Sequence, residues 1–234
     1  MSAINVTLGG GLCNKLFCLF SACDIAIKNK TKIIEPTFGW KRKILFSDIY
    51  DIRFFNEAMK EFNNGEELIV SQSAKSNYKI IQNKQNLWQY SETILKTQRK
   101  TNQIKEHCMM IVVLKALKLN ERNLQICNSV LNIENKCAMH IRIEQDWLNY
   151  SKKKMKSANF NELYLINTNS LIDLYKNKGF EEDVFFTTGQ NQTQVQKQML
   201  DKDIKSDFIF VNDLEYEVNA AINFELCCRA KLFV

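Results

Sequence analysis

The chain has 234 residues, of which 45% are hydrophobic and 25% charged, and this balance excludes a disordered tail, a collagen-like repeat and a miniprotein. Its net charge of +6 is spread along the sequence, and the densest basic cluster, residues 152–156, is too short for a duplex-binding surface. The length allows one large domain or two small ones, each with its own hydrophobic core.

Targeting segments and cysteines point to a cytosol-like compartment. Residues 1–11 have neither the basic nor the apolar region of a signal peptide, and the longest apolar run, residues 109–114, is too short to span a membrane. We therefore expect a cytoplasmic protein whose eight cysteines are reduced. There is no CxxC pair and there are only two histidines, so we expect neither a structural zinc site nor a Cys–His protease.

The first half of the chain begins with a strand, a glycine turn and a helix. Residues 3–8 predict the strand, and apolar residues at helical spacing predict the helix over residues 12–28. The other elements predicted for this half are a strand at 33–35 closed by Pro36, a loop and helix over 44–62, a strand at 67–71, an irregular polar insert over 72–103, and helices at 104–117 and 122–131.

A second unit is predicted to begin near residue 135. Residues 137–143 form a continuous apolar run, which is typical of a buried parallel strand. The elements predicted after it are a helix at 161–176, a strand at 183–187, a turn at Gly189, a helix to Leu200, a strand at 208–211, a helix at 217–229 and a strand from 231. The alternation predicts parallel sheets in two Rossmann-like domains, residues 1–134 and 135–234. Because the last strand ends the sequence, we expect a C-terminal piece to be missing.

The glycine turn has two interpretations. The segment GGGLCNK lacks the GK[ST] of a Walker loop and has Asn14 where GxGxxG requires its last glycine. It is either a tight turn that needs a positive φ, or a turn that lets the backbone approach a ligand at the N-terminus of the following helix.

The segment HIRIEQDW carries the stronger indication of a site. Alternation places His140, Arg142 and Glu144 on one face at the carboxyl end of a strand, where open α/β sheets bind their ligands. Arginine supplies a fork of donors that suits phosphate oxygens, and Glu144 or Asp146 could accept a proton from an attacking hydroxyl. The alternatives are a structural arginine–carboxylate pair and, for His140, a hydrogen-bonded core histidine.

Three segments resemble the fucosyltransferase-like glycosyltransferases, the superfamily of O-fucosyltransferases and α-1,2-fucosyltransferases. LGGGLCNKLFCLFSACDIAI is similar to their opening, AMHIRIEQDW to their signature strand, and NFELCCRAKLFV to the helix and strand before their last nucleotide-binding loop. The three occur in the family's order over almost the whole chain.

This resemblance implies a GT-B architecture, with two Rossmann-like domains whose parallel sheets face a cleft. The first would bind the acceptor and the second the sugar nucleotide. The implied reaction is an inverting, metal-independent transfer from GDP-fucose to a glycan hydroxyl. The residues it implies at the site are Arg142 on the donor phosphates, His140 beside it, and Gly10, Gly11 and Asn14 near the transferred sugar. Gly189 and Asp213, which follow strands of the second domain, are further expected nucleotide-binding residues, and no cofactor is expected.

The sequence departs from the family pattern at three places. Cys13 replaces a usual glycine, Lys15 replaces a usual glutamine, and the family's nucleotide-gripping Gly/Asn-Ser-Ser-Phe loop does not follow Val234. The segment Asp201-Lys202-Asp203 has the D-x-D form of metal-dependent transferases, but its place after a helix favours a solvated charge cluster.

Several alternatives remain open. UDP-xylose is the alternative donor, an inactive glycan- or nucleotide-binding module is the alternative function, and a nucleic-acid-binding protein is a third class. For the catalytic base, position favours Asp146, then Glu144, with Glu35 and Asp213 also available. The lysine- and asparagine-rich composition suggests an A+T-rich genome, such as that of a large DNA virus or a protist.

Overall fold

The chain divides into two compact units. The structure, a computed structural model, describes residues 1–39, 43–81, 86–101, 108–141, 149, 168–189 and 191–233. The first unit comprises Met1–Gln125 with Leu214–Ala221, and the second comprises Ile126–Asp213 with Ile222–Val234. Each unit contains its own sheet and its own core.

The elements follow one another in a strand–helix alternation. Up to residue 128 they are β1 (Ser2–Leu8), α1 (Leu12–Lys28), β2 (Lys32–Phe38), β3 (Ile44–Leu45), α2 (Phe46–Ile49), α3 (Ile52–Met59), β4 (Ile69–Val70), β5 (Lys79–Ile81), α4 (Leu87–Thr101), α5 (Met109–Ala116) and α6 (Glu121–Asn128). From there they are β6 (Cys137–His140), α7 (Thr168–Asn177), β7 (Val184–Thr187), α8 (Gln192–Leu200), β8 (Ser206–Asp207), α9 (Tyr216–Arg229) and β9 (Leu232–Phe233). Short 3₁₀ turns lie at Lys60–Phe62, Gln72–Asn77 and Ile133–Asn135.

The sheet of the first unit is built around β1. This strand lies between β2 and β5 and runs parallel to both. The first half of β2 pairs with β4 in parallel and its last residues pair with β3 in antiparallel. Beside the sheet, the Phe46 ring contacts those of Tyr50 and Phe55, with centroids 5.2 Å and 5.0 Å away. This aromatic cluster is fully or almost fully buried.

The second unit has a parallel sheet in the order β8-β7-β6-β9 among the residues that the structure describes. Cys137, Ala138 and Met139 of β6 are at most 1% exposed, so the continuous apolar run buries both faces of its strand as predicted. Helices α7 and α8 pack on it through Ile172 and Val195.

Three elements differ from the prediction. Strand β2 does not end at Pro36. Asn5 of β1 pairs with Ile34 and Thr7 pairs with Thr37, so β2 carries one additional residue at this point. A β-bulge is one of the few positions in a sheet that tolerates proline, because the ladder hydrogen bond is already interrupted there.

The predicted irregular insert over 72–103 is wrong, since it contains β5 and the four-turn helix α4. Helix α4 packs against α1, with the Trp88 ring 5.5 Å from that of Phe17 and the Ser21 hydroxyl donating to the Leu87 carbonyl at 2.8 Å. A buried serine, Ser91, lies on the packed face of α4, and a polar residue there obscures the apolar period in the sequence.

The predicted strand at 208–211 is also wrong, because β8 consists of Ser206–Asp207 and the next residues form no regular element. The apolar residue Phe208, which suggested a strand, packs instead on the core, with its ring centroid 5.3 Å from that of Phe186. Among the described residues, no helix has the length and apolar character needed to cross a membrane.

Candidate functional site

In both units, a segment that the sequence predicts to bind a ligand begins at the strand where the strand order reverses. In the first unit the chain proceeds from β1 through β2 and its neighbours, then returns to β5 on the other side of β1. In the second unit it proceeds from β6 through β7 to β8, then returns to β9 on the other side of β6. Open α/β sheets bind ligands beyond the carboxyl ends of the strands at such a switch point. The glycine triplet follows β1, and Ile141 follows β6.

The glycine turn joins β1 to α1, as predicted. Gly10 has a φ of +84°, and Gly11, at the N-cap of α1, has a φ of −68°. A Cβ atom on Gly10 would lie 2.9 Å from Nδ2 of Asn14, so the Asn14 side chain folds back over the turn. Gly10, Gly11 and Asn14 are exposed at the carboxyl end of β1 and lie together.

Replacing Gly10 by alanine is expected to lower the free energy of unfolding by about 1–2 kcal/mol, since alanine strains a positive φ and its Cβ would displace Asn14. Urea denaturation would measure the change. The matched control is Gly11→Ala, because a Cβ at Gly11 meets no atom within 4 Å and the φ is ordinary. Equal losses in the two variants would contradict the conformational role of Gly10.

Directly after the turn lies a buried ion pair within the first unit. Nζ of Lys15 donates to Oε1 of Glu217 at 2.8 Å, and the two side chains are 4% and 17% exposed. Glu217 stands in the first turn of α9. The charge of Lys15 is therefore neutralised within the fold.

At the carboxyl end of the second sheet, β6 and β7 end side by side. His140 pairs with Thr187 in the register of the two strands, and the amide of Ile141 donates to the Thr187 carbonyl at 2.9 Å. The side chain of His140 is exposed, which excludes the core-histidine interpretation. Thr187 and Thr188 are buried, and Gly189 follows them in the turn before α8.

Helix α9 brings Cys227 to the same edge of this sheet. Burial raises the pKa of the Cys227 thiol to about 12, with a smaller upward contribution from Cys228 and an opposing one from the hydrogen bond with Thr187. A thiol with this pKa is neutral at physiological pH. It therefore acts as a small hydrogen-bonding group and not as a nucleophile.

We expect Cys227 to react with iodoacetamide about a thousandfold more slowly than an ordinary exposed thiol at pH 8, because alkylation requires the thiolate. Its rate should rise tenfold per pH unit up to about pH 12, provided the fold is intact. Mass spectrometry of individual cysteine peptides would measure this, with exposed Cys13 as the internal comparison. A Cys227 rate that levels off near pH 9 would contradict the raised pKa.

The remaining predicted site residues fall in two groups. Arg142, Glu144 and Asp146 lie outside the described residues. Asp213 is exposed in a turn between β8 and α9, in the second unit. Their roles stay predictions.

Glu35 has a structural use that its sequence position does not indicate. It is 4% exposed, and its Oε1 accepts the amide hydrogen of Ser47 at 2.9 Å in the first turn of α2. A carboxylate at the start of a helix satisfies an unpaired amide and interacts favourably with the helix dipole. This contact makes Glu35 the weakest of the candidate bases.

Sequence reasoning missed the Lys15–Glu217 pair and the Thr187–Cys227 contact. The Lys15–Glu217 pair could have been suspected from the sequence, because Lys15 lies one helical turn before Leu19 on the apolar face of α1, where a buried lysine requires a partner. The Thr187–Cys227 contact gives no signal in the sequence, because the two small residues are 40 positions apart and belong to no distinctive pattern.

Two other features carry no site. The Asp201-Lys202-Asp203 segment forms an exposed turn after α8, as predicted for a solvated cluster. A depression of about 620 Å³, lined by Leu200, Ile204 and Ser206 among others, lies at the start of β8. This is the amino end of the strand, opposite to the edge at which parallel sheets bind ligands.

Two Rossmann-like units, each with a mainly parallel sheet, constitute an α/β fold of the GT-B class, and the predicted fold class is confirmed. POFUT1 in complex with GDP-fucose shares this fold with a TM-score of 0.61 and 9% identity, over 99% of this chain and 89% of that one. The fucosyltransferase NodZ from Bradyrhizobium shares it with a TM-score of 0.58 and 12% identity, over 99% and 87% of the two chains. NodZ co-crystallised with GDP has a TM-score of 0.56 and 12% identity, over 99% of this chain and 87% of that one.

The resemblance found in three short segments thus extends to a fucosyltransferase-like fold over nearly the whole chain. No family model matches the sequence, and no curated protein matches it. At 9–12% identity the likeness establishes the fold. Viral origin and a xylose donor receive no support from it.

Proposed function

We propose that the protein is a glycosyltransferase that transfers fucose from GDP-fucose to a glycan hydroxyl with inversion and without a catalytic metal. The observation that supports the proposal is that the glycine turn follows β1 and that His140 ends β6 and is followed by Ile141, since β1 and β6 are the two strands at which the sheet order reverses. The shared fold adds to it, because the solved structures similar to this chain include complexes with GDP-fucose and with GDP. These ligands favour GDP-fucose over UDP-xylose as the donor.

The chemistry requires a group that neutralises the departing nucleotide. Cleavage at the anomeric carbon leaves positive charge on the sugar ring and negative charge on the diphosphate. Fixed hydrogen-bond donors aimed at such developing charge usually make the largest catalytic contribution. In the proposed reaction Arg142 provides them as a bidentate fork. His140, at the carboxyl end of β6, supports the same phosphates.

The two units take different parts in the proposed reaction. The second unit binds the nucleotide at the end of its sheet, where His140, Gly189 and Asp213 belong to it. The first unit binds the acceptor, and Gly10, Gly11 and Asn14 are its proposed binding residues. Asp146 is the preferred base and Glu144 the alternative, because Glu35 already holds the start of α2.

A panel of nucleotide sugars tests the proposal directly. The full chain is incubated with GDP-fucose, UDP-xylose and other donors and with a panel of glycan acceptors, with and without EDTA, and nucleotide release is measured. We expect release from GDP-fucose that EDTA does not reduce, and NMR of the transferred sugar should show inverted configuration. Release from UDP-xylose alone would replace the donor, and loss of release in EDTA would refute metal independence.

The rival functions give different results in the same experiment. An inactive binding module would bind GDP saturably without turnover, and Arg142→Ala would leave its glycan binding unchanged. A nucleic-acid-binding protein would show an affinity that falls steeply with salt. Absence of both turnover and GDP binding would overturn the enzyme proposal.

A further inference from the structure

The Lys15–Glu217 pair lies directly behind the glycine turn. Its partners are 202 positions apart in the sequence and meet within the first unit. Lys15 is 3% exposed as a residue, and an ammonium group at that depth is stable only when its charge is matched. Glu217 provides the match at 2.8 Å.

Lys15 is coupled to the turn through the backbone. Its amide donates to the Gly11 carbonyl at 3.0 Å, which is the first hydrogen bond of α1. The preceding residue, Asn14, folds over Gly10. A displacement of Lys15 would therefore move the residues that form the exposed surface of the turn.

Glu217 is itself held in a defined place. Asn219, which is 2% exposed, donates from Nδ2 to the Leu214 carbonyl at 3.1 Å and fixes the entry to α9. Lys15 lies near the N-terminus of α1, where the positive end of the helix dipole disfavours a cation. The first turn of α1 contains no acidic residue that would offset this repulsion. Glu217, in the first turn of α9, supplies the negative charge that the first turn of α1 lacks.

We propose that Lys15 and Glu217 are positioning residues that hold the glycine turn in the conformation required for transfer. This proposal rests on the proposed function. In this proposal the pair acts through the start of α1 and not by contact with a substrate, because Lys15 is buried behind the turn.

Amide hydrogen exchange tests the positioning role without any need for activity. In Lys15→Met and in Glu217→Gln, we expect the amides of residues 15–18, which make the first hydrogen bonds of α1, to exchange at least about tenfold faster than in the wild type. The reversed pair, Lys15→Glu with Glu217→Lys, should restore most of the protection. The control is Lys28→Met, which removes an ion pair to Asp24 at 2.7 Å from the other end of the same helix.

Kinetics supply the second readout. The rates are measured below the unfolding transition and expressed per folded molecule. Each single variant should lower kcat/KM about ten- to a hundredfold, because the turn is misplaced, and the reversed pair should recover the wild-type value. Unchanged exchange and unchanged turnover in both single variants would overturn the proposal. If the wild type transfers no sugar, the proposed function fails, and the exchange rates alone decide the role of the pair.

Discussion

Replacing Arg142 by alanine is expected to lower the turnover of the nucleotide sugar about 100- to 1000-fold, the loss typical of removing one donor to a developing negative charge. Donor binding should weaken less, because the interaction strengthens as the diphosphate departs. Initial rates of nucleotide release over a range of donor concentrations would separate kcat from KM.

Two further variants define what Arg142 contributes. Arg142→Lys keeps the charge but loses the planar fork, so its turnover should fall between those of alanine and arginine. Arg53→Ala removes an exposed arginine of α3 and should leave turnover unchanged. An active Arg142→Ala variant with wild-type rates would remove Arg142 from the proposed mechanism.

Replacing Lys15 by methionine is expected to destabilise the protein by about 3 kcal/mol, because the Glu217 carboxylate is left without its cation. The loss should lie near the lower end for a broken buried pair, since 17% of the Glu217 side chain remains exposed and can be hydrated. Denaturant unfolding, with the midpoint and slope fitted separately, would measure it.

The double variant Lys15→Met with Glu217→Met separates the charge from the packing. Removing both charges should recover most of the lost free energy, because no uncompensated charge remains inside. Lys28→Met removes a lysine whose side chain is 63% exposed and leaves Asp24 hydrogen-bonded to the Tyr90 hydroxyl, so it should cost less than about 1 kcal/mol. A double variant as unstable as the single one would show that lysine packing, and not charge pairing, is responsible.

The sequence predicts most of the fold because its apolar periods are strong where the elements are buried. The bounds predicted for α1, 12–28, are those observed, since apolar spacing and the glycine turn mark both its face and its start. Strand β6 was predicted from a run that is apolar on both faces. Helix α4 was missed because its packed face includes Ser91, whose hydroxyl bonds to the Trp88 carbonyl and conceals the pattern.

For the candidate site, the sequence alone determined which segments of the chain are expected to bind the ligand. It identified the glycine turn, the His140-Ile141-Arg142 strand end and the alternation that makes parallel sheets. These are local properties, fixed by neighbours in the chain. Only the tertiary structure decided that β1 and β6 are the strands at which the order reverses, because strand order depends on crossovers that no local pattern records. It alone matched Lys15 with Glu217, since a buried charge is balanced by whatever the fold brings within hydrogen-bonding distance.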